Sequence, residues 1–140
     1  MSKTAVVYWS GTGNTKAMAA AVQKGAEGAG AEVKVFGPAA FTADLVKDFD
    51  GIAFGCPAMG AEVLEEDEFD PMWQAVKGAL SGKRIALFGA FGWGSGEWME
   101  DWEADARDAG ADLVADPVIA NESPDDTALA ACEALGAKLA

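Results

Sequence analysis

The chain has 140 residues, 51% of them apolar, with ten basic residues against 23 acidic ones, a net charge of −13, and no histidine. That length suits one domain with a sizeable core, and the charge sets aside nucleic acid and anionic membranes in favour of basic protein partners. Without histidine there is no imidazole acid–base catalysis, and Cys56 and Cys132 have no metal-ligand spacing, so no metal site is expected. No apolar run approaches the ~20 residues of a membrane span, no leader pattern precedes the first strand, and two cysteines suit a reducing compartment, so a cytoplasmic protein is expected.

In chain order, an apolar strand at Thr4–Trp9 runs through Ser10–Thr15 into a helix over Asn14–Ala29, which Gly28 and Gly30 end. A strand at Glu32–Phe36 and a short, weakly signalled helix at Ala43–Lys47 follow. Next come a strand at Gly51–Gly55, a loop at Cys56–Glu62 and a helix over Asp70–Leu80 stopped by Gly82. A strand at Arg84–Phe91 leads through a glycine-rich loop, Phe91–Glu97, to a helix at Glu97–Ala109 with Gly110 behind it. The last pair is a strand at Asp112–Val118 and a helix at Pro124–Leu139. The strands are nearly continuous in apolar character, as parallel strands covered on both faces are. The pattern predicts an α/β fold: a doubly wound, five-stranded parallel sheet with helices on both faces, in one domain over residues 1–140. With strand order 2-1-3-4-5, the loops after strands one, three and four meet where ligands bind in such sheets.

Ser10-Gly11-Thr12-Gly13-Asn14-Thr15 is built to hold an anion. The first N–H groups of a helix have no intrahelical partner, and the dipole favours negative charge there. Glycine lets the backbone approach a ligand, and Ser10, Thr12, Thr15 and Asn14 add side-chain donors. The loop lacks the lysine-bearing pattern of triphosphate loops, so a phosphate monoester fits better; the plainer alternative is a capped turn. After strand four, Trp93 stands between Gly92 and Gly94. A large ring in an exposed loop is better explained if it covers a planar ligand. Trp98 and Trp102, at i,i+4 spacing, are expected to pack against the sheet, and Cys56 to be a small buried filler. Two acidic runs flank these loops: Glu62, Glu65, Glu66, Asp67, Glu68 and Asp70, then Glu97, Glu100, Asp101, Glu103, Asp105 and Asp108.

Tyr8 to Thr15, Ala58-Met59-Gly60 with Glu62 and its acidic run, and Ala86 to Gly89 through Gly92-Trp93-Gly94 together resemble the flavodoxins of the short-chain, clostridial type, from end to end. The resemblance implies non-covalent FMN and low-potential one-electron transfer, cycling mainly between semiquinone and hydroquinone. Ser10, Gly11, Thr12, Gly13, Asn14 and Thr15 would bind the phosphate. Pro57, Ala58, Met59, Gly60, Ala61 and Glu62 would line one face and edge of the ring, with Glu62 accepting from N3–H. Ala90, Phe91, Gly92 and Trp93 would line the other side, Trp93 covering the face. In the family, the peptide matching Met59–Gly60 flips on reduction. Ala61 replaces a common Asp and Pro57 a small polar residue, and both bear on the energetics of that flip.

The implied partners are redox proteins with basic docking surfaces, such as reductases and ferredoxin-accepting enzymes, met by a monomer; no nucleic acid or membrane is expected. The competing reading is an FMN-dependent quinone or flavin reductase on the same fold, which would need a second-substrate pocket that Trp93 would block. A signalling receiver module, which needs acids at the end of strand one to hold Mg²⁺, is set aside by Tyr8, Trp9 and Ser10.

Overall fold

The computed structural model describes residues 2–11, 13–59, 63–92 and 96–140. At its centre lie the parallel strands β1 (Lys3–Tyr8), β2 (Glu32–Phe36), β3 (Gly51–Gly55), β4 (Arg84–Phe91), β5 (Asp112–Leu113) and β6 (Val118–Asn121). The order is β2-β1-β3-β4-β5, with β6 also paired to β4, so the expected fold and strand order hold. The single fifth strand expected at Asp112–Val118 is corrected to two pieces laid end to end along β4. Leu113 pairs with Ile85 and Val118 with Phe88, so residues 114–117 span only Ala86 and Leu87. The surplus must leave the ladder, and Pro117, with no N–H to donate, stands where the chain rejoins it.

Among the described residues, four helices flank the sheet: α1 (Asn14–Gly28), α2 (Phe69–Val76), α3 (Glu97–Asp108) and α4 (Asp126–Leu139). The weak helix expected at Ala43–Lys47 is a 3₁₀ segment, Ala43–Asp48, and the helix expected to reach Leu80 tightens into 3₁₀ geometry at Lys77–Ala79. No helix among the described residues is long and apolar enough to cross a membrane.

Alternate strand residues feed two different cores. Ala5, Val7, Ile52, Phe54, Ile85 and Leu87 face α2, α3 and the 3₁₀ segments, where Phe69, Trp73, Trp98 and Trp102 fill the space. Val6, Ala53, Ala86 and Phe88 face α1 and α4 with Met18, Val22, Leu135 and Leu139. The first face is covered by short elements, so bulk must come from aromatic rings; Trp73 meets Phe54 edge-on at 5.2 Å and Trp102 at 5.7 Å. On the second face two long helices touch backbone to backbone. A Cβ on Gly25 would sit 1.8 Å from the Glu133 carbonyl oxygen, and one on Gly136 would sit 2.0 Å from that of Val22.

α2 is capped from a distance. The carboxylate of Glu65, only 5% exposed, accepts the N–H groups of Asp67, Glu68 and Phe69 at 2.8, 2.7 and 2.8 Å. Burial, the largest single influence on this group, opposes ionisation, but the three N–H groups together outweigh it and hold the carboxyl below its ordinary value.

Two expectations follow. An exposed helical Gly→Ala change ordinarily stabilises by about 1 kcal/mol, yet Gly25→Ala and Gly136→Ala should each destabilise by roughly 1–3 kcal/mol or more through overpacking. Gly28→Ala, which meets nothing within 4 Å, should not; urea unfolding of the three variants checks the sign. For Glu65, whose folded value is depressed, the stabilisation is complete above the unfolded value and is lost as pH falls through the folded one. Glu65→Gln should therefore cost about 1.5–3 kcal/mol at neutral pH, and the gap to the parent should narrow below the ordinary glutamate value. Unfolding curves across acid pH measure this, and a gap independent of pH would contradict it.

Candidate functional site

Tyr8, Gly55 and Phe88 are ladder partners across β1, β3 and β4, so these three strands deliver their loops at one level. Trp9 N–H still bonds the Gly55 carbonyl at 3.0 Å, and then the chain turns into the loop that opens α1. Beyond that point Cys56 and Ala58 give their N–H groups to the Phe88 and Ala90 carbonyls at 3.1 and 3.0 Å. By strand alternation, Pro57 stands where an N–H would face β1, and proline has none to give. The proline thus ends one ladder while the other continues.

Within the first loop Gly13 adopts φ 95°, the left-handed region that favours glycine. Ser10 Oγ accepts the N–H groups of Gly13 and Lys16 at 3.1 and 3.2 Å, which leaves its own hydrogen to donate outward. The helical ladder starts at Ala17 N–H to the Gly13 carbonyl, 3.0 Å. Among the described residues, the N–H groups of Asn14 and Thr15 have no protein acceptor. Thr15 is 1% exposed, and its buried hydroxyl also has no partner. A buried hydroxyl left unmade costs about 1–3 kcal/mol. These donors gather at the positive end of one helix and suit an oxyanion. Thr12, expected to join them, lies outside the described residues.

In the second loop Met59 N–H closes back on the Val63 carbonyl at 3.0 Å. Gly60, Ala61 and Glu62 lie outside the described residues, and with them the peptide expected to flip. In the third, Ala90 is buried, Phe91 packs against Trp98 with centroids 5.5 Å apart, and Gly92 is exposed with open space where a Cβ would stand. Trp93, on which the stacking expectation rests, also lies outside the described residues.

The three loops share a cleft of about 170 Å³ lined by Asn14, Pro57, Ala58, Ala90, Phe91, Gly92 and Glu122. A larger hollow of about 430 Å³ lies between β6 and α4 and is lined by neither Asn14 nor Thr15; of the two, Asn14 lines the cleft between the loops. Sequence reasoning missed Glu122. It follows β6, gives its N–H to the Phe91 carbonyl, and has φ 59°, the one non-glycine residue with positive φ among those described. Such a backbone costs roughly 1–2 kcal/mol. The rule that places loops at strand ends reaches Glu122 only when the last strand is taken to end at Asn121, three residues beyond the expected Val118.

The neighbouring side chains sort into structural and surface roles. Cys56 is fully buried, its thiol pushed up to about 12 by burial, and its sulfur accepts Glu65 N–H at 3.4 Å; it is a filler, as expected. Trp98 and Trp102 are core residues, also as expected. The first acidic run is not all surface: Glu65 is buried, whereas Glu66 and Asp67 are exposed. Asp105 in the second run is likewise structural, accepting from Trp73 Nε1 at 2.7 Å and from Lys77 Nζ at 3.1 Å. Among the described residues no group of three or more Cys, Asp or Glu is gathered to hold a metal ion.

The family model described as Flavodoxin matches residues 6–136. A flavodoxin of Megasphaera elsdenii is 42% identical over 94% of this chain and 93% of its own length. One from Clostridium beijerinckii is 42% identical over 96% and 97%. In three dimensions, the solution structure of two-electron reduced Megasphaera elsdenii flavodoxin superposes with a TM-score of 0.89 at 41% identity, covering 97% of both chains. A flavodoxin from the domain Archaea gives 0.84 at 32% identity, over 98% and 95%. With matching motifs, strand order and loop convergence, the chain belongs to the flavodoxin family.

Proposed function

We propose that the chain is a one-electron carrier that binds FMN, the cofactor of its family, in the cleft between the loops after β1, β3 and β4. The observation that carries the reading is the set of donors that, among the described residues, have no protein partner at the start of α1: Asn14 N–H, Thr15 N–H and the buried Thr15 hydroxyl. They match a phosphate monoester in number and kind. Ser10, Gly11, Thr12, Gly13, Asn14 and Thr15 would hold the phosphate. Pro57, Ala58, Met59, Gly60, Ala61 and Glu62 would flank the ring on one side, and Ala90, Phe91, Gly92 and Trp93 on the other.

Bound FMN supplies the redox centre; the protein supplies burial, orientation and field. A chain of net charge −13 disfavours added negative charge at the cleft, which supports a low potential for the more reduced couple. The exposed acids Glu66, Asp67, Glu100 and Asp101 would also steer basic surfaces on donor and acceptor proteins toward it. A reductase reading gains no specific support from the geometry.

The direct test is stepwise anaerobic reduction of the purified protein followed by absorption. A carrier should take up two electrons in separate one-electron steps; rapid reduction by NADH or NADPH alone would overturn the carrier reading in favour of the reductase.

Thr15→Val should leave the flavin-free protein as stable or more stable, because a partnerless buried hydroxyl is removed. The same change should weaken FMN roughly tenfold or more, the worth of a hydrogen bond to a charged group, and spare riboflavin. Equal losses for both flavins would contradict the phosphate assignment. Charge steering predicts that Glu66→Gln with Asp67→Asn slows electron transfer to a basic partner at low salt. The difference should vanish as the Debye length shrinks from ~10 Å at 0.1 M to ~3 Å at 1 M. Stopped-flow rates at several ionic strengths decide it; a difference that persists at high salt would contradict steering.

A further inference from the structure

Two of the three loops are fastened to each other, among their described residues, by a side-chain hydrogen bond. Trp9 Nε1 donates to Glu68 Oε2 at 3.0 Å. The same indole lies against the phosphate-binding loop: a Cβ on Gly11 would come within 3.0 Å of Trp9 Cη2 and 3.2 Å of Cζ3. Glu68 is itself anchored, giving its N–H to Glu65 Oε1 at 2.7 Å. Glu65 is fixed in turn by its N–H to Cys56 Sγ and by its carbonyl to Asp70 N–H at 2.8 Å. A continuous line of contacts therefore runs from Gly11 through Trp9, Glu68 and Glu65 to Cys56 at the end of β3.

We infer that Trp9 and Glu68 are positioning residues: their bond holds the loop after β1 and the loop after β3 in one arrangement, so that seating a phosphate on the first favours binding of the flavin ring along the second. The inference rests on the FMN reading above. Its sign separates it from simple electrostatics. A carboxylate beside a phosphate site repels the dianion, so on charge alone removing Glu68 tightens FMN. If the bond straps the loops together, removing Glu68 loosens it.

The test is titration calorimetry on the flavin-free full chain with FMN, and with riboflavin in the presence and absence of inorganic phosphate. The proteins are the parent, Trp9→Phe, Glu68→Ala, Glu68→Gln and the double variant Trp9→Phe/Glu68→Ala. Trp9→Phe keeps a ring against Gly11 but removes the N–H, and Glu68→Gln keeps a carbonyl acceptor without the charge. The expected result is a three- to tenfold loss of FMN affinity, roughly, in Trp9→Phe and Glu68→Ala, as for one partly exposed hydrogen bond. Glu68→Gln should bind as the parent or better, and the double variant no worse than the weaker single one. Inorganic phosphate should raise riboflavin affinity in the parent and not in Trp9→Phe or Glu68→Ala, the reciprocal form of the same coupling. A Glu68→Ala protein that binds FMN as well as or better than the parent overturns the inference. So do strictly additive losses, or a phosphate effect that is absent from the parent or undiminished in the variants. A parent that binds no FMN overturns instead the reading of the site.

Discussion

The level line of Tyr8, Gly55 and Phe88 across β1, β3 and β4 is the constraint on which the ligand end of the molecule depends. Parallel pairing fixes it, because side chains alternate every residue and a slip by one would send Val7, Phe54 and Leu87 to the wrong core. With that register set, three chains reach the same edge within a few residues of each other. The first must turn into a helix, the second keeps only its ladder to β4, and the third runs on as far as Phe91. Loops with nothing in common in sequence become neighbours for this reason alone.

Stability and binding pull in opposite directions at that edge. The cores are well satisfied, with aromatic rings filling one face and interlocked helix backbones closing the other. The edge is not: Thr15 buries a hydroxyl without a partner and Glu122 holds a left-handed backbone. A chain selected for stability alone would put valine at the first and glycine or asparagine at the second. Such departures from local consistency gather where a ligand is to be met. Glu65 carries the opposite lesson: a buried charge, which normally counts against folding, is accepted because it receives three N–H groups at and just before the start of α2.

Much of this was legible in the residues. Strands buried on both faces read as apolar runs, and Gly30, Gly82 and Gly110, which stop helical segments, have φ of 97°, 75° and 85°. The segment at residues 10–15 was legible as a candidate anion site because hydroxyls and glycines stand there between a strand and a helix. Less legible was whatever depends on the third dimension. Glu65 and Glu66 are the same letter side by side, yet one is buried and the other exposed; only the path of the turn at 65–69 separates them. The split of the last strand depends on how many residues must fit between two fixed pairings, a count that periodicity does not supply. The Trp9–Glu68 bond joins residues 59 positions apart, and neither carries a signal for the other.

The central claim is that partnerless donors at the start of α1 receive the FMN phosphate, and the most direct measurement is NMR of the ¹⁵N-labelled protein. Scalar couplings across hydrogen bonds from amide nitrogen to phosphorus report each contact individually. Such couplings, with downfield amide shifts, are expected at Asn14 and Thr15 on binding FMN and not on binding riboflavin. FMN bound tightly with no phosphorus coupling to any amide of residues 11–15, and with those amides shifted alike by both flavins, would contradict it.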